Sequence, residues 1–423
     1  MSKLPIPCPI DFRYKMRSKI SNSTYSVHGI DKYPAKLIPQ AARYLLQEYI
    51  PKGSTVLDTF CGTGSVLVEA SLSRFNSIGI DLNPLATLFA SVKTTIYSET
   101  ELNEAISKFN NEIRYMKSGD TYNFSNIYTW FTPQVLNDLS RIQKTISLAA
   151  KSLSNSQTRF LIASLARIVR ECSKADSKGP KPFISKKARC SNKGINVDVL
   201  EKFYETASFI KMRLLDYSAC FQKRPAPFST ILTGDTRDFL RHEISPTINA
   251  IITSPPYINA QDYYRSSKLE LRIARLLPEY QMLNFSRSFI GTDRGKMNDV
   301  SYVPEAASPE LVNLRERLAL ISKRHAKIVW KYFVNMKEVF HLMSISLKPG
   351  SIVCIVVGQN RICGIDIPTH NLLAFLAESE GFKIQEIFVD IIQKRHLPPK
   401  RNKHKGIIDR ESVLVMSIPA KRI

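Results

Sequence analysis

An α/β fold built on a doubly wound, mostly parallel sheet is predicted by three observations. The run Ile248-Asn249-Ala250-Ile251-Ile252-Thr253 is apolar and β-branched, as expected of a parallel strand covered on both faces. Val56-Leu57-Asp58 passes through Thr59-Phe60-Cys61-Gly62-Thr63-Gly64-Ser65 into the apolar start Val66-Leu67-Val68-Glu69-Ala70, the strand, glycine turn and helix that open such folds. The last section alternates: a strand over 352–358, a helix over 369–380 stopped by Gly381, then strands over 384–392 and 412–418.

Taken in order, residues 1–98 hold an amino-terminal segment, a helix over Pro39–Tyr49 and the first two strands, the second being Ser77-Ile78-Gly79-Ile80 ending in Asp81. From 99 to 225 the pattern turns helical, with 3.6-residue periodicity over 101–116, 133–153 and 158–171. That stretch is too long for a crossover and reads as an inserted helical subdomain. Residues 226–423 resume the sheet at Ser229-Thr230-Ile231-Leu232-Thr233, with a further insertion at about 275–330.

Composition narrows the function. Across 423 residues, 60 Lys and Arg face 37 Asp and Glu, a formal charge of +23 that favours a polyanion such as nucleic acid. No apolar run reaches the roughly eighteen residues of a membrane helix. The amino terminus, Met1-Ser2-Lys3-Leu4-Pro5-Ile6-Pro7, lacks the apolar core of a signal peptide, so a cytoplasmic protein is expected. The seven cysteines form no C-x-x-C pair, so reduced thiols are expected rather than a metal site or disulfide framework.

The chemistry is carried by strand ends. Pro255 and Pro256 halt the ladder after Ser254, because proline has no N–H and fixes its own φ. Ser254, stiff carbonyls and the ring of Tyr257 are left at the carboxyl end, where open α/β sheets bind ligands. This set suits a flat molecule with an exocyclic amine, although a plain Pro-Pro turn would also explain the tetrapeptide. Gly62 and Gly64 allow close approach of the backbone to a ligand, and Asp81 can accept both ribose hydroxyls of an adenosine-containing cofactor. The G-x-G spacing lacks the third glycine of the dinucleotide fingerprint.

These motifs resemble those of the S-adenosylmethionine-dependent DNA amino-methyltransferases, of the cytosine-N4, Ser-Pro-Pro-Tyr kind found in restriction–modification systems. Asp58-Thr59-Phe60-Cys61-Gly62-Thr63-Gly64 is similar to the family's cofactor motif, and Ser254-Pro255-Pro256-Tyr257 to its catalytic motif. His28-Gly29-Ile30-Asp31-Lys32-Tyr33-Pro34-Ala35-Lys36 resembles the segment under the methionine end of the cofactor, and Leu347-Lys348-Pro349-Gly350-Ser351 leads into a strand like the fifth of these enzymes. The resemblance implies a class I, Rossmann-like methyltransferase with a seven-stranded, mostly parallel sheet whose last strand is antiparallel. It implies cofactor contacts from Tyr33, Pro34, Ala35, Lys36, Asp58, Phe60, Cys61, Gly62, Thr63, Gly64 and Asp81, with Asp235 at the adenine amine. It also implies a prokaryotic, nucleoid-associated setting, double-stranded DNA as substrate, and a cognate restriction endonuclease acting at the same site. No metal is expected, since the sulfonium is already an activated donor.

Two basic clusters are candidates for phosphate contact. The first carries Lys174, Lys178, Lys181, Lys186, Lys187 and Arg189 on a Gly/Pro-broken loop; the second carries Lys394, Arg395, Lys400 and Arg401 between the last two strands. A third stretch, 287–296, is mildly basic. A solvated charged face is the ordinary alternative. Carbon-5 methylation needs a cysteine nucleophile, and the residue after Pro255-Pro256 is Tyr257. Adenine-N6 methylation is the nearer alternative, because the adenine enzymes generally carry Asp or Asn where Ser254 stands. An RNA amine methyltransferase and a non-catalytic DNA-binding protein complete the alternatives.

Overall fold

The computed structural model describes residues 4–20, 22–34, 36–176, 181–184, 197–242, 248–258, 263–292, 308–391 and 410–420. Its main sheet is built from β1 (Cys8–Ile10), β2 (Thr55–Asp58), β3 (Asn76–Asp81), β4 (Ser229–Thr233), β5 (Ile248–Thr253), β6 (Leu347–Gly358), β9 (Lys383–Ile391) and β10 (Arg410–Ser417), while β7 (Asn360–Ile362) and β8 (Ile365–Ile367) form a separate hairpin. The strand order is β1-β9-β10-β6-β5-β2-β3-β4. β10 lies antiparallel between β6 and β9, as expected of the last strand, and the other pairs are parallel. The sheet is thus α/β and Rossmann-like, with eight strands rather than seven. The additional strand is β1, which pairs parallel with β9 through Cys8↔Phe388 and Ile10↔Asp390. Pro9 is tolerated there because an edge strand needs hydrogen bonds on one side only.

Successive residues of a strand point to opposite faces, and the core follows that period. Leu57, Ile251, Val353, Ile355 and Leu414 pack against helices Lys323–Ser346, Pro309–Ile321 and Thr369–Ser379. Val56, Ala250, Ile252, Cys354 and Val415 face the opposite side, against helix Pro39–Tyr49 and Phe12. β5 is therefore covered on both faces.

Between β3 and β4 the chain forms helices Glu99–Ile113, Pro133–Ala149, Asn155–Val169 and Val199–Ala219. Their apolar stripes, including Phe109, Phe160, Phe203 and Tyr217, share one core with helix Pro84–Thr94 and with Leu269 and Leu271 of helix Tyr263–Ile273. Capping boxes set two of the starts: Ser98 with Glu101, and Ser154 with Gln157. These caps begin the helices two or three residues earlier than apolar periodicity alone suggests. Among the described residues, no helix is long and apolar enough to cross a membrane.

Candidate active site

The chain runs outward through β2, β3 and β4 on one side, then returns to place β5 against the other edge of β2. Ligands of doubly wound sheets bind at such a switch point, beyond the carboxyl ends of the strands. A cleft opens there. Its walls include Tyr33, Phe60, Gly62, Asp81, Asp235, Thr236, Ser254, Pro256 and Tyr263.

The glycine loop forms one wall. Gly62 (φ +51°) and Gly64 (φ +81°) adopt left-handed backbone, and Gly64 caps helix Ser65–Leu72. Asp81 ties this loop to β3: its Oδ2 accepts from the Gly62 N–H at 2.8 Å and its Oδ1 from the Asn83 N–H at 2.8 Å. Burial pushes the Asp81 carboxyl up to about 6. Asp58, Cys61, Thr63 and Gly64 lie behind this wall rather than on it. Asp58 accepts from the Phe60 N–H at 3.2 Å, and burial pushes it up to about 7. Thr253, which sequence reasoning passed over, joins the two strand ends. Its buried hydroxyl oxygen accepts from the Phe60 N–H at 3.0 Å and from the Thr59 hydroxyl at 3.3 Å.

Ser254 and Pro256 line the facing wall, Pro255 and Tyr257 stand behind it, and the tetrapeptide is pinned at both ends. The Ser254 hydroxyl donates to the Val356 carbonyl of β6 at 3.0 Å, and the Tyr257 hydroxyl donates to Glu411 Oε1 of β10 at 2.7 Å. The Asn360 side-chain amide, on β7, donates to the Ile258 carbonyl just beyond, at 3.0 Å. Pro255 is buried while Pro256 borders the cleft. Two further aromatics on the wall, Tyr263 and Phe289, stack at 6.1 Å and 17°. Only their spatial proximity reveals them; nothing in their sequence neighbourhood does.

The amino-terminal segment closes the end of the cleft near Gly62. Tyr33 borders it, its hydroxyl accepting from the Asn83 side chain at 2.9 Å. Pro34 faces a smaller neighbouring hollow, and Ala35 lies outside the described residues. Lys36 turns inward, donating to the His28 carbonyl at 3.1 Å and pairing with Asp31 at 3.2 Å. Asp31 also pairs with the fully buried Lys93, whose ammonium donates to Thr63 of the glycine loop at 3.1 Å, and it accepts from the Tyr33 N–H at 2.9 Å. Burial alone would raise the Asp31 carboxyl, but Lys36 and Lys93 outweigh it and hold Asp31 well below the usual carboxylate range. Beneath this pair Glu69 accepts from Arg43 at 2.5 Å and lies 2.7 Å from His28 Nε2. This buried polar lattice fixes the segment to the glycine loop.

At the opposite end, Arg237 grips Asp235 through Nε at 3.0 Å and Nη2 at 2.6 Å, holding its carboxyl below the usual range against the effect of burial. Beside it the Thr236 hydroxyl is buried on the cleft wall without a hydrogen-bond partner among the described residues. Such an orphan is costly unless a ligand satisfies it. An adenosine-bearing cofactor fits this cleft: carboxylates at Asp81 and Asp235, an open hydroxyl at Thr236, and glycine backbone at its floor.

Of the basic candidates, Lys174 donates to the Tyr128 carbonyl at 3.0 Å, and its N–H to Trp130 at 2.7 Å. Lys181 sits on a short β-bridged loop in which Ala175 pairs with Ile184. Lys178, Lys186, Lys187, Arg189, Lys394, Arg395, Lys400 and Arg401 lie outside the described residues, as does 293–296 of the third stretch.

A family model described as DNA methylase, of the N6/N4 type, matches residues 12–88, from the amino-terminal segment through the glycine loop to Asp81 and beyond. The chain is 24% identical over 408 residues to the Type II methyltransferase M.MvaI of Kocuria varians, covering 90% of this chain and 87% of that one. It is 24% identical over 466 residues to the Type II methyltransferase M.BsoBI of Geobacillus stearothermophilus, covering 96% and 89%. The Type II methyltransferase M.MjaII of Methanocaldococcus jannaschii is 21% identical over 380 residues, covering 70% of each chain. Motifs, family model and relatives point the same way: the chain is similar to DNA methylases of the N6/N4 type and, over most of its length, to Type II methyltransferases.

Proposed function

We propose that this protein methylates the exocyclic N4 amine of a cytosine flipped out of duplex DNA, at a defined sequence, as the modification arm of a restriction–modification system. The observation that carries the reading is Ser254, whose hydroxyl proton is donated to Val356 while its oxygen borders the cleft that the glycine loop and Asp81 share. With the proton committed, the oxygen's lone pairs accept, which is what an amine N–H requires. Asp81 receives the ribose hydroxyls, Asp235 and Thr236 the adenine, and Tyr33 borders the methionine end. The bound cofactor supplies an activated methyl group on its sulfonium.

The N4 lone pair is conjugated into the ring, so it has to be aimed. Hydrogen bonds from the amine to Ser254 Oγ and to a main-chain carbonyl of the Pro-Pro turn direct that lone pair, and rate comes from positioning and fixed dipoles. Extruding the base costs a few kcal/mol; stacking on Tyr257 returns roughly 1–3 kcal/mol. The net charge of +23 supplies the attraction to phosphates. The helices between β3 and β4, together with the two basic clusters, are the proposed DNA-reading region.

Tyr257→Ala separates the roles. Methyl transfer to unmethylated plasmid DNA should fall roughly five- to 150-fold while calorimetry finds cofactor affinity within about twofold of wild type, the change matching a stacking contribution of roughly 1–3 kcal/mol. Equal loss of both contradicts the assignment. Cytosine-N4 and adenine-N6 transfer are distinguished by the nucleoside that carries the methyl group.

A further inference from the structure

A ring is enough for stacking, so the hydroxyl of Tyr257 needs an explanation of its own. It donates to Glu411 Oε1 at 2.7 Å, across 154 residues of sequence. Burial raises the pKa of both groups, so the pair exists at the cost of desolvating a carboxylate. A phenylalanine against an apolar partner would fill the same space without that cost. Such a pair makes a poor stabiliser and a good orienter.

The setting supports this. Glu411 is the second residue of β10, in register with Gly358 of β6 and Asp390 of β9. β6 also supplies the Val356 carbonyl that holds Ser254. Two adjacent strands thus grip the two functional ends of one four-residue turn, Ser254 by a main-chain carbonyl and Tyr257 by a side-chain carboxylate.

We propose that Glu411 is a positioning residue for the reaction: it fixes where the Tyr257 ring stands, the ring against which the extruded base is held. This rests on the reading that Tyr257 stacks on the base. The hydrogen bond fixes rotation of the ring about its Cα–Cβ bond, which packing on one face would not do. An unanchored ring would still bind the base but would hold the amine off the line of attack. The loss therefore falls on the transfer step and leaves cofactor binding untouched.

The test is a double-mutant cycle on the full-length protein with Tyr257→Phe, Glu411→Ala and both together, alongside Glu411→Gln. Single-turnover methyl transfer to unmethylated plasmid DNA and calorimetric cofactor affinity are read for each. A hydrogen bond to a charged acceptor predicts that either single change slows transfer roughly ten- to a hundredfold. The double variant is then no slower than the worse single one. Glu411→Gln keeps an acceptor oxygen and recovers most of the loss, with cofactor affinity within about twofold of wild type throughout. Transfer at the wild-type rate in Tyr257→Phe overturns the proposal, as do losses that multiply in the double variant or a glutamine no better than alanine. If Glu411→Ala also weakens cofactor binding, Tyr257→Phe and Glu411→Gln decide, since neither empties the site. Tyr257→Ala at the wild-type rate would instead sink the stacking reading, whereas loss in Tyr257→Ala with none in Tyr257→Phe sinks the positioning role alone.

Discussion

Replacing Asp81 by asparagine sets two large effects against each other. In the native cleft both carboxylate oxygens accept from backbone, Oδ2 from Gly62 and Oδ1 from Asn83, each at 2.8 Å. Asparagine keeps one acceptor oxygen and turns an amide donor toward the other N–H, which loses about 1.5–3 kcal/mol for a charge-assisted hydrogen bond. Against this, the native carboxyl is pushed from 3.8 to about 6 by burial. At 1.36 kcal/mol per pH unit, the ionised group opposes folding by about 3 kcal/mol above that pH. The sign follows from proton counting. Between 3.8 and about 6 the folded state binds the proton that the unfolded state has lost, so stability falls as pH rises through this window. At neutral pH the neutral asparagine escapes that penalty, and the two effects nearly cancel. Urea denaturation at pH 7.5 should therefore find Asp81→Asn within about 1 kcal/mol of wild type. Cofactor binding has no such compensation, because two ribose hydroxyls lose a paired acceptor. Calorimetry should show affinity lowered about a hundredfold, as expected when contacts of about 1.5–3 kcal/mol are lost. Wild-type affinity should itself weaken as pH drops below about 6 and the carboxyl protonates. Unchanged affinity in the variant, or a stability loss well beyond 3 kcal/mol, would refute the reasoning.

Two further changes probe the scaffold behind the cleft. A Cβ on Gly79 would lie 2.5 Å from Leu67 Cδ1 and 3.0 Å from the Cβ and Sγ of Cys61, so Gly79→Ala should lower unfolding free energy by about 1–3 kcal/mol and weaken cofactor binding by shifting the glycine loop. Denaturant melts that overlay the wild type would contradict this. Lys93→Met leaves Asp31 buried with Lys36 as its remaining cation and should cost about 3–5 kcal/mol, part of which Asp31→Asn added to it restores. Because Asp31 is held below its ordinary 3.8, its contribution to stability is present above that pH and lost as pH falls further. An acid titration of stability that is the same in wild type and the double variant would argue against the pair.

The chain discloses its fold unevenly, for physical reasons. β4 and the helix Pro39–Tyr49 have the bounds that β-branched runs and a proline at the first helical turn suggest, because local chemistry decides both. β1 is hidden because Pro7 and Pro9 make its neighbourhood resemble a tail, and only the open edge of β9 gives it a partner. β6 begins at Leu347, through Pro349 and Gly350, residues that on their own spell a turn. The site divides the same way. Gly62, Gly64 and Ser254 stand out because their chemistry is contiguous in sequence. Thr253 looks like one more β-branched strand residue, Thr236 matters only as a hydroxyl left without a partner among the described residues, and Glu411 acquires meaning by approaching Tyr257. Lys36 belongs to a motif similar to the family's cofactor segment, yet the charge of Asp31 turns it away from the cleft.

The most direct test of the central claim is the chemical identity of the product. The protein would be incubated with unmethylated duplex DNA and S-adenosylmethionine labelled in its methyl group, and the DNA digested to nucleosides and separated. Label in N4-methyldeoxycytidine alone is the predicted result; label in N6-methyldeoxyadenosine with none in the cytosine product would contradict the reading that Ser254 selects cytosine.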